Sequence, residues 1–170
     1  MIPELDHSQI SREKLVEVFS RSLTTLDGLW FLAVEDKYGL EAAMELDEQV
    51  WGGYGSILAR RVVKNFAIED ENPLRTLIKA LLLDPLSPIY KPDVPLLTDN
   101  KAVFLYTDCP PQKARIRSGR GEHPCKPAGL ALFKSYAEAI DPRIKVSCVR
   151  CPPDPHPPDP DFWCEWQFEL

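Results

Sequence analysis

The chain changes its hydrophobic grammar halfway along. Over the first 85 residues or so, apolar positions recur at three- and four-residue steps, the period of a helix. Leu15, Phe19, Leu23, Leu26 and Trp30 form the first such stripe, with Ser11 placed to cap it. Gly39 interrupts, and a second helix is expected from Leu40 to Phe66, with Ala43, Met44, Val50, Trp51, Tyr54, Leu58, Val62 and Phe66 on its buried face. Gly52, Gly53 and Gly55 fall in its middle, where each costs about 1 kcal/mol against alanine. A close helix crossing is the main expectation for them; a kink and a ligand-facing notch are the alternatives. Asn72-Pro73 opens a third helix, Leu74 to Leu83, with proline in its first turn.

After Asp84-Pro85 the period shortens toward two. Prolines at 85, 88, 92 and 95 predict an extended linker or an edge segment. Val94–Leu97 and Ala102–Tyr106 around a Thr98-Asp99-Asn100 turn predict a β-hairpin. Ala114–Arg117 fits a strand or a helical turn. Pro127 starts a helix with Leu130, Leu132, Phe133, Tyr136, Ala137 and Ile140 inward. Ile144–Cys148 and Phe162–Leu170 alternate as strands and are expected to pair as an antiparallel hairpin. Between them, residues 152–161 hold six prolines, a stiff loop placed to act as a lid beside the preceding cysteines. The fold expected is α+β: a helical N-terminal half packed on a small, mainly antiparallel sheet with one crossover helix. At 170 residues, 1–170 forms a single domain, with 1–85 its helical part and 86–170 its cysteine-containing α/β part.

Composition narrows the class of function. The net charge of −6 argues against nucleic acid as a partner. No apolar run approaches the ~20 residues that cross a bilayer, so no membrane is expected. The N-terminus has no signal-peptide pattern, which makes the cytoplasm the expected location. The average charge hides a reversal in residues 109–126, where Lys113, Arg115, Arg117, Arg120 and Lys126 stand against Glu122 alone. Such a segment attracts a small anionic molecule or is simply a solvated, arginine-rich turn.

The chemistry points to the cysteines. All five, Cys109, Cys125, Cys148, Cys151 and Cys164, lie in the last 62 residues. Reduced thiols gathered this way suggest metal binding or thiol chemistry. Cys148-Val149-Arg150-Cys151 has the spacing of a metal knuckle, and tetrahedral zinc would take two further ligands from Cys109, Cys125 and Cys164, with His123 and His156 also near in sequence. An iron–sulfur cluster on four of the five is the alternative cofactor. Dithiol exchange at Cys148 and Cys151 is disfavoured by Pro152-Pro153, which opposes the helix such motifs use. For Cys164, between Trp163 and Trp166, a buried apolar role fits as well as ligation. Cys125 precedes Lys126 and a helix start, both of which favour a thiolate nucleophile, and Cys109 before Pro110-Pro111 has similar standing. Asp154 and His156 flank the knuckle as candidate base or ligand, and His7 is expected to have no role.

These cysteines and their neighbours carry a resemblance. Cys109-x-x-Gln112-x-Ala114-Arg115, Pro124-Cys125-Lys126, Ile140–Lys145, Cys148-x-x-Cys151-Pro152-Pro153-Asp154-x-His156-Pro157 and Cys164-x-Trp166-x-Phe168 resemble an uncharacterised family of small prokaryotic cytosolic proteins. Leu29-Trp30-x-x-x-Val34-Glu35 extends the likeness into the N-terminal half. More distantly, these resemble the L-2-amino-thiazoline-4-carboxylic acid hydrolase-like proteins. That resemblance implies hydrolysis at a carbon–nitrogen bond of a small carboxylate substrate, with Gln112, Arg115 and Lys126 as ligand contacts and Arg115 as a bidentate anchor.

Three functions are therefore expected in turn. The first is a metal-binding protein, zinc or iron–sulfur, with an adjoining anion pocket. The second is a hydrolase of the thiazoline-carboxylate type, using Cys125 or a metal-bound water with Asp154 and His156 nearby. The third is an interaction module, a homo-oligomer or part of a protein complex, working through the helical half and an exposed Trp163.

Overall fold

A computed structural model describes residues 10–157 and 160–170. Helix α1, Arg12–Tyr38, begins at Ser11, whose Oγ accepts from the Lys14 N–H at 3.3 Å. It ends at Gly39, which takes φ +90° and donates its N–H to the Glu35 carbonyl. The same glycine precedes α2, Leu40–Phe66, so a single residue turns the chain between two long helices. The φ +90° conformation is one that side chains rarely adopt, which is why glycine stands there. Helix α3, Pro73–Leu82, is capped by Asn72, whose Oδ1 accepts from Leu74 N–H at 2.8 Å and Arg75 N–H at 3.3 Å. The segment expected as an extended linker forms a short helix, α4, Ser87–Tyr90, because Pro88 lies at its first turn and supports a helix there.

Strands β1, Pro92–Leu97, and β2, Lys101–Tyr106, make the expected hairpin. Helix α5, Pro110–Arg117, settles the ambiguous segment as helix. Helix α6, Lys126–Glu138, is followed by β3, Lys145–Arg150, and β4, Cys164–Glu169. The sheet order is β1-β2-β4-β3, with every pairing antiparallel. The expected α+β fold thus holds, although the crossover between β2 and β3 carries two helices, α5 and α6, rather than one. Proline-bearing β1 takes an edge, where a missing N–H costs no ladder bond.

The core lies between the sheet and α6, and continues through α6 to α2 and α3. Ala102, Phe104 and Tyr106 of β2 and Trp166 and Phe168 of β4 point inward on alternate positions. Phe133 of α6 meets four of these rings, the nearest, Trp166, at 4.7 Å between centroids. On its other side α6 runs against α2. A Cβ at Gly55 would overlap the Leu132 carbonyl oxygen and Ser135 Oγ, and one at Gly52 would stand 3.3 Å from Ala131 Cβ. Gly52 and Gly55 therefore mark a close helix crossing, whereas Gly53 faces open space. On the α6 face toward the sheet, a Cβ at Gly129 would lie 2.6 Å from the Trp166 ring.

The outer helix departs from expectation. Of the stripe expected to be buried, Leu15, Phe19, Leu26 and Trp30 are exposed, and Ser20 is the one fully buried residue of α1. Ser20 Oγ donates to the Pro85 and Val16 carbonyls. On α2, Val50 and Phe66 are likewise exposed, while Ala43, Leu58 and Val62 are buried as expected. Among the described residues no helix is long and apolar enough to cross a membrane.

Two outcomes follow. Gly55→Ala is expected to destabilise the fold by about 1–3 kcal/mol, since the α2–α6 backbones must part; thermal unfolding reads it. Burial pushes the Asp84 carboxyl up to about 7 from an ordinary 3.8, against a hydrogen bond from Leu86 N–H at 2.7 Å that lowers it. The folded chain therefore holds this proton more tightly than the unfolded one, so the contribution is fully present below about pH 4 and is lost as pH rises to about 7. Asp84→Asn keeps an acceptor for Leu86, and its stability relative to the parent should rise across that window in urea unfolding.

Candidate functional site

Four of the five cysteines line one cavity of about 470 Å³ beneath α1, a volume suited to a small organic ligand. Cys109 is the N-cap of α5 and Cys125 the N-cap of α6. Cys164 opens β4 opposite Tyr106. Cys151 follows β3 just past the register shift between Cys148 and Arg150, and its N–H donates to Asp154 Oδ2 at 3.0 Å. The loop after the knuckle turns back there, since Asp154 N–H donates to the Cys151 carbonyl at 2.9 Å.

The sulfurs are not equivalent. Cys125 Sγ lies 3.2 Å from Cys151 Sγ, and Gln112 Nε2 reaches Cys125 Sγ at 3.5 Å. The Cys151 hydrogen bond, with Gln112 assisting against burial, holds the Cys125 thiol below its ordinary value; Cys151 is correspondingly pushed up and keeps the proton. The neighbouring Cys151 thiol, and then the Lys126 ammonium, lower Cys148 too. Burial raises the remaining two, Cys109 well above the usual range and Cys164 to about 12. Thus the site presents one hydrogen-bonded pair, Cys125 and Cys151, with Cys109 and Cys164 as neutral thiols beside it and Cys148 outside the cavity lining.

Gln112 organises this corner. It is fully buried, donates to the His123 carbonyl at 2.8 Å, and accepts the His123 N–H at 3.1 Å. His123 Nδ1 also faces Gln112 Nε2 at 3.1 Å, and the ring stacks edge-on against Phe31. Burial, then the Arg115 charge, lowers His123 to about 4, so it is neutral.

The basic segment divides its charges: Arg117 lines the cavity, whereas Lys113, Arg115 and Arg120 are held in ion pairs. Arg115 forms a fork to Glu35 at 2.6 and 3.1 Å, and this partner holds Glu35 below the usual carboxylate range. The bidentate geometry foreseen for a ligand carboxylate is therefore taken up by α1. Arg120 reaches Asp36 at 2.8 Å, and Lys126 is exposed outside the cavity lining. His156 stands apart from the sulfurs, with Nε2 at 2.8 Å from Glu122 and Nδ1 at 2.7 Å from the Pro157 carbonyl. Trp163, expected to be exposed, is buried at 4% exposure beside His156, because β4 begins one residue later and its N–H donates to the Tyr106 carbonyl. His7 lies outside the described residues, as do Pro158 and Asp159 of the proline loop.

Residues that spacing did not single out complete the cavity. Asp27 of α1 and Asp47 of α2 line it, as do Tyr90 and Tyr106. Burial raises Asp27 to about 6; burial and the Asp27 charge raise Asp47 to about 7. Thr24 Oγ1 is buried there without a hydrogen-bond partner. No local motif marks these side chains, which come from α1, α2, α4 and β2. Among the described residues, no group of three or more histidine, cysteine, aspartate or glutamate side chains stands in position to hold a metal ion.

The Arg115–Glu35 fork ties α1 to α5 across the cavity with only 8% and 15% side-chain exposure. Glu35→Ala leaves a guanidinium buried without its partner and is expected to cost about 2–4 kcal/mol. Adding Arg115→Met should recover part of that loss, read by chemical unfolding.

Comparison with the curated proteins finds no match, and comparison with solved structures finds none. The chain does match a family model over residues 7–170, a range that includes all five cysteines, and it belongs to that family of unknown function, DUF6125.

Proposed function

We propose that the cavity binds a small molecule and that Cys125 attacks it as a thiolate nucleophile. One observation carries this reading: Cys125 caps the N-terminus of α6 inside the cavity, with Cys151 Sγ at 3.2 Å and the Gln112 amide at 3.5 Å. A helix N-terminus and two donors all favour a negative sulfur. A neighbouring thiol that keeps its proton supplies an acid at the same point. Free thiols in this state suit a reducing compartment such as the cytoplasm.

The resemblance to thiazoline-carboxylate hydrolases suggests the reaction class, cleavage of a carbon–nitrogen bond. The Cys125 sulfur would form a bond to the electrophilic carbon while the carbon–nitrogen bond breaks. The Cys151 proton passes to the leaving nitrogen. Water then cleaves the sulfur–carbon bond, leaving its hydroxyl on the carbon and its proton on the cysteine pair.

The 3.2 Å approach of Cys125 Sγ to Cys151 Sγ, with Cys148 at knuckle spacing before Cys151, favours a second reading, a metal centre. Cys125, Cys148 and Cys151 would close on zinc, or with a further cysteine on an iron–sulfur cluster, only after their side chains rearrange.

One experiment separates these. The purified protein is assayed for bound metal and then alkylated with iodoacetamide over a pH series, with each cysteine followed by mass spectrometry. The nucleophile reading expects metal-free protein in which Cys125 is modified at lower pH than a free thiol of pKa ~8.5. Cys151→Ala should shift that profile upward by about one pH unit or more, since the principal donor is gone. Stoichiometric metal that blocks alkylation until chelated supports the metal centre instead. Metal-free protein with Cys125 titrating as an ordinary thiol overturns both.

A further inference from the structure

Helix α1 is amphipathic in the wrong sense for a lone chain. Toward the body it presents Ser20, Thr24, Asp27, Gly28 and Glu35, with Phe31 and Leu32 on the cavity and Leu23 half-buried. Toward solvent it presents Leu15, Val18, Phe19, Leu26, Leu29 and Trp30, which are 44%, 57%, 64%, 58%, 61% and 70% exposed. Leu15, Phe19, Ser22, Leu26, Leu29 and Ala33 follow four-three-four-three-four steps, the spacing of a helix–helix seam. The charged residues between positions 15 and 33 are Glu17, Arg21 and Asp27, and all three lie off this seam and its flanks.

We infer that this face of α1 is the interface of a homodimer, packed against the same face of a second copy. Three features select that occupant. First, area: the six side chains expose roughly 600–700 Å² per copy, above the usual largest patch of a monomer. Doubled, this reaches the total of about 1,200 Å² or more that stable interfaces bury. Second, charge: a seam without ionised flanks carries no repulsion against its own copy, and nothing that would specify an oppositely charged partner. Third, a lipid surface is disfavoured by the chain's net charge of −6 and by α1 itself, where Glu13, Glu17, Asp27, Glu35 and Asp36 outnumber Arg12, Lys14, Arg21 and Lys37. Membrane-surface helices are rich in lysine and arginine instead.

The interface borders the cavity. Leu29 and Thr25 belong both to the exposed side of α1 and to the cavity lining. A second copy seated on α1 would therefore stand beside the cavity mouth. The inference does not depend on the thiol chemistry proposed above.

The test is the mass of the full chain in solution by sedimentation at micromolar concentration. The expected result is twice the 19.3 kDa chain mass. Phe19→Glu and Leu26→Glu should each give the monomer, with circular dichroism unchanged because neither side chain packs on the body. Val149→Glu, an equally exposed apolar site on β3, should leave the dimer intact. Hydroxyl-radical footprinting of the unmutated chain makes the result independent of how the variants fold: Phe19, Leu26 and Trp30 should be protected at micromolar concentration and become labelled on dilution. A monomeric parent chain overturns the inference, whether or not it binds anionic vesicles. So does a dimer whose mass and footprint on these residues are unmoved by both substitutions or by dilution.

Discussion

Everything in the chemical half of the molecule is positioned by the seating of α6. Two glycines on opposite sides permit it. Gly55 on α2 lets the backbone of α6 approach at Leu132 and Ser135, and Gly129 on α6 lets the Trp166 ring lie flush against it. Interiors are packed closely enough that one extra methylene at either place is felt. The consequence extends to the helix N-terminus, where Cys125 is presented to the cavity beside Cys151. A side chain at either glycine would move the whole helix, and the sulfur with it.

Polarity around the site is distributed against the usual pattern. The strongest positive group near the cavity, Arg115, is neutralised by Glu35, and its fork holds α1 against α5. The carboxyls that remain, Asp27 and Asp47, are raised toward neutrality by burial. The cavity is therefore lined mainly by apolar wall, by hydroxyls and by carboxyls raised toward neutrality, with the Arg117 guanidinium and four thiols among them.

Much of this was legible in the residue pattern. Helical periodicity located α1, α2 and α3, and alternation located β2, β3 and β4; in all but α1 the period is an image of the buried face, whereas the apolar stripe of α1 lies outward. The gathering of all five cysteines in the second half pointed to the site, and glycines in mid-helix pointed to a crossing. Other features were not legible. Pro85 and Pro88 read as extended, yet a proline also suits the first turn of a helix, and local sequence does not decide between them. Arg115 read as a ligand anchor because its partner, Glu35, lies 80 residues away. Asp27 and Asp47 have no motif, since the cavity joins them only through the packing of separate helices.

The periodicity of α1 raises a different point. A repeating apolar stripe says that a face is covered; it does not say by what. Here the chain's own body takes the small and polar side of the helix, which lets Thr24, Asp27 and Gly28 wall a cavity rather than fill a core. The hydrophobic free energy that would ordinarily fasten such a helix is left on its outer face. A helix held to its own body by a buried ion pair, a serine–carbonyl hydrogen bond and few apolar contacts is weakly fastened by those alone. Packing of its outer stripe against another copy would supply what the body does not, and the wall of the cavity would then depend on assembly as much as on folding.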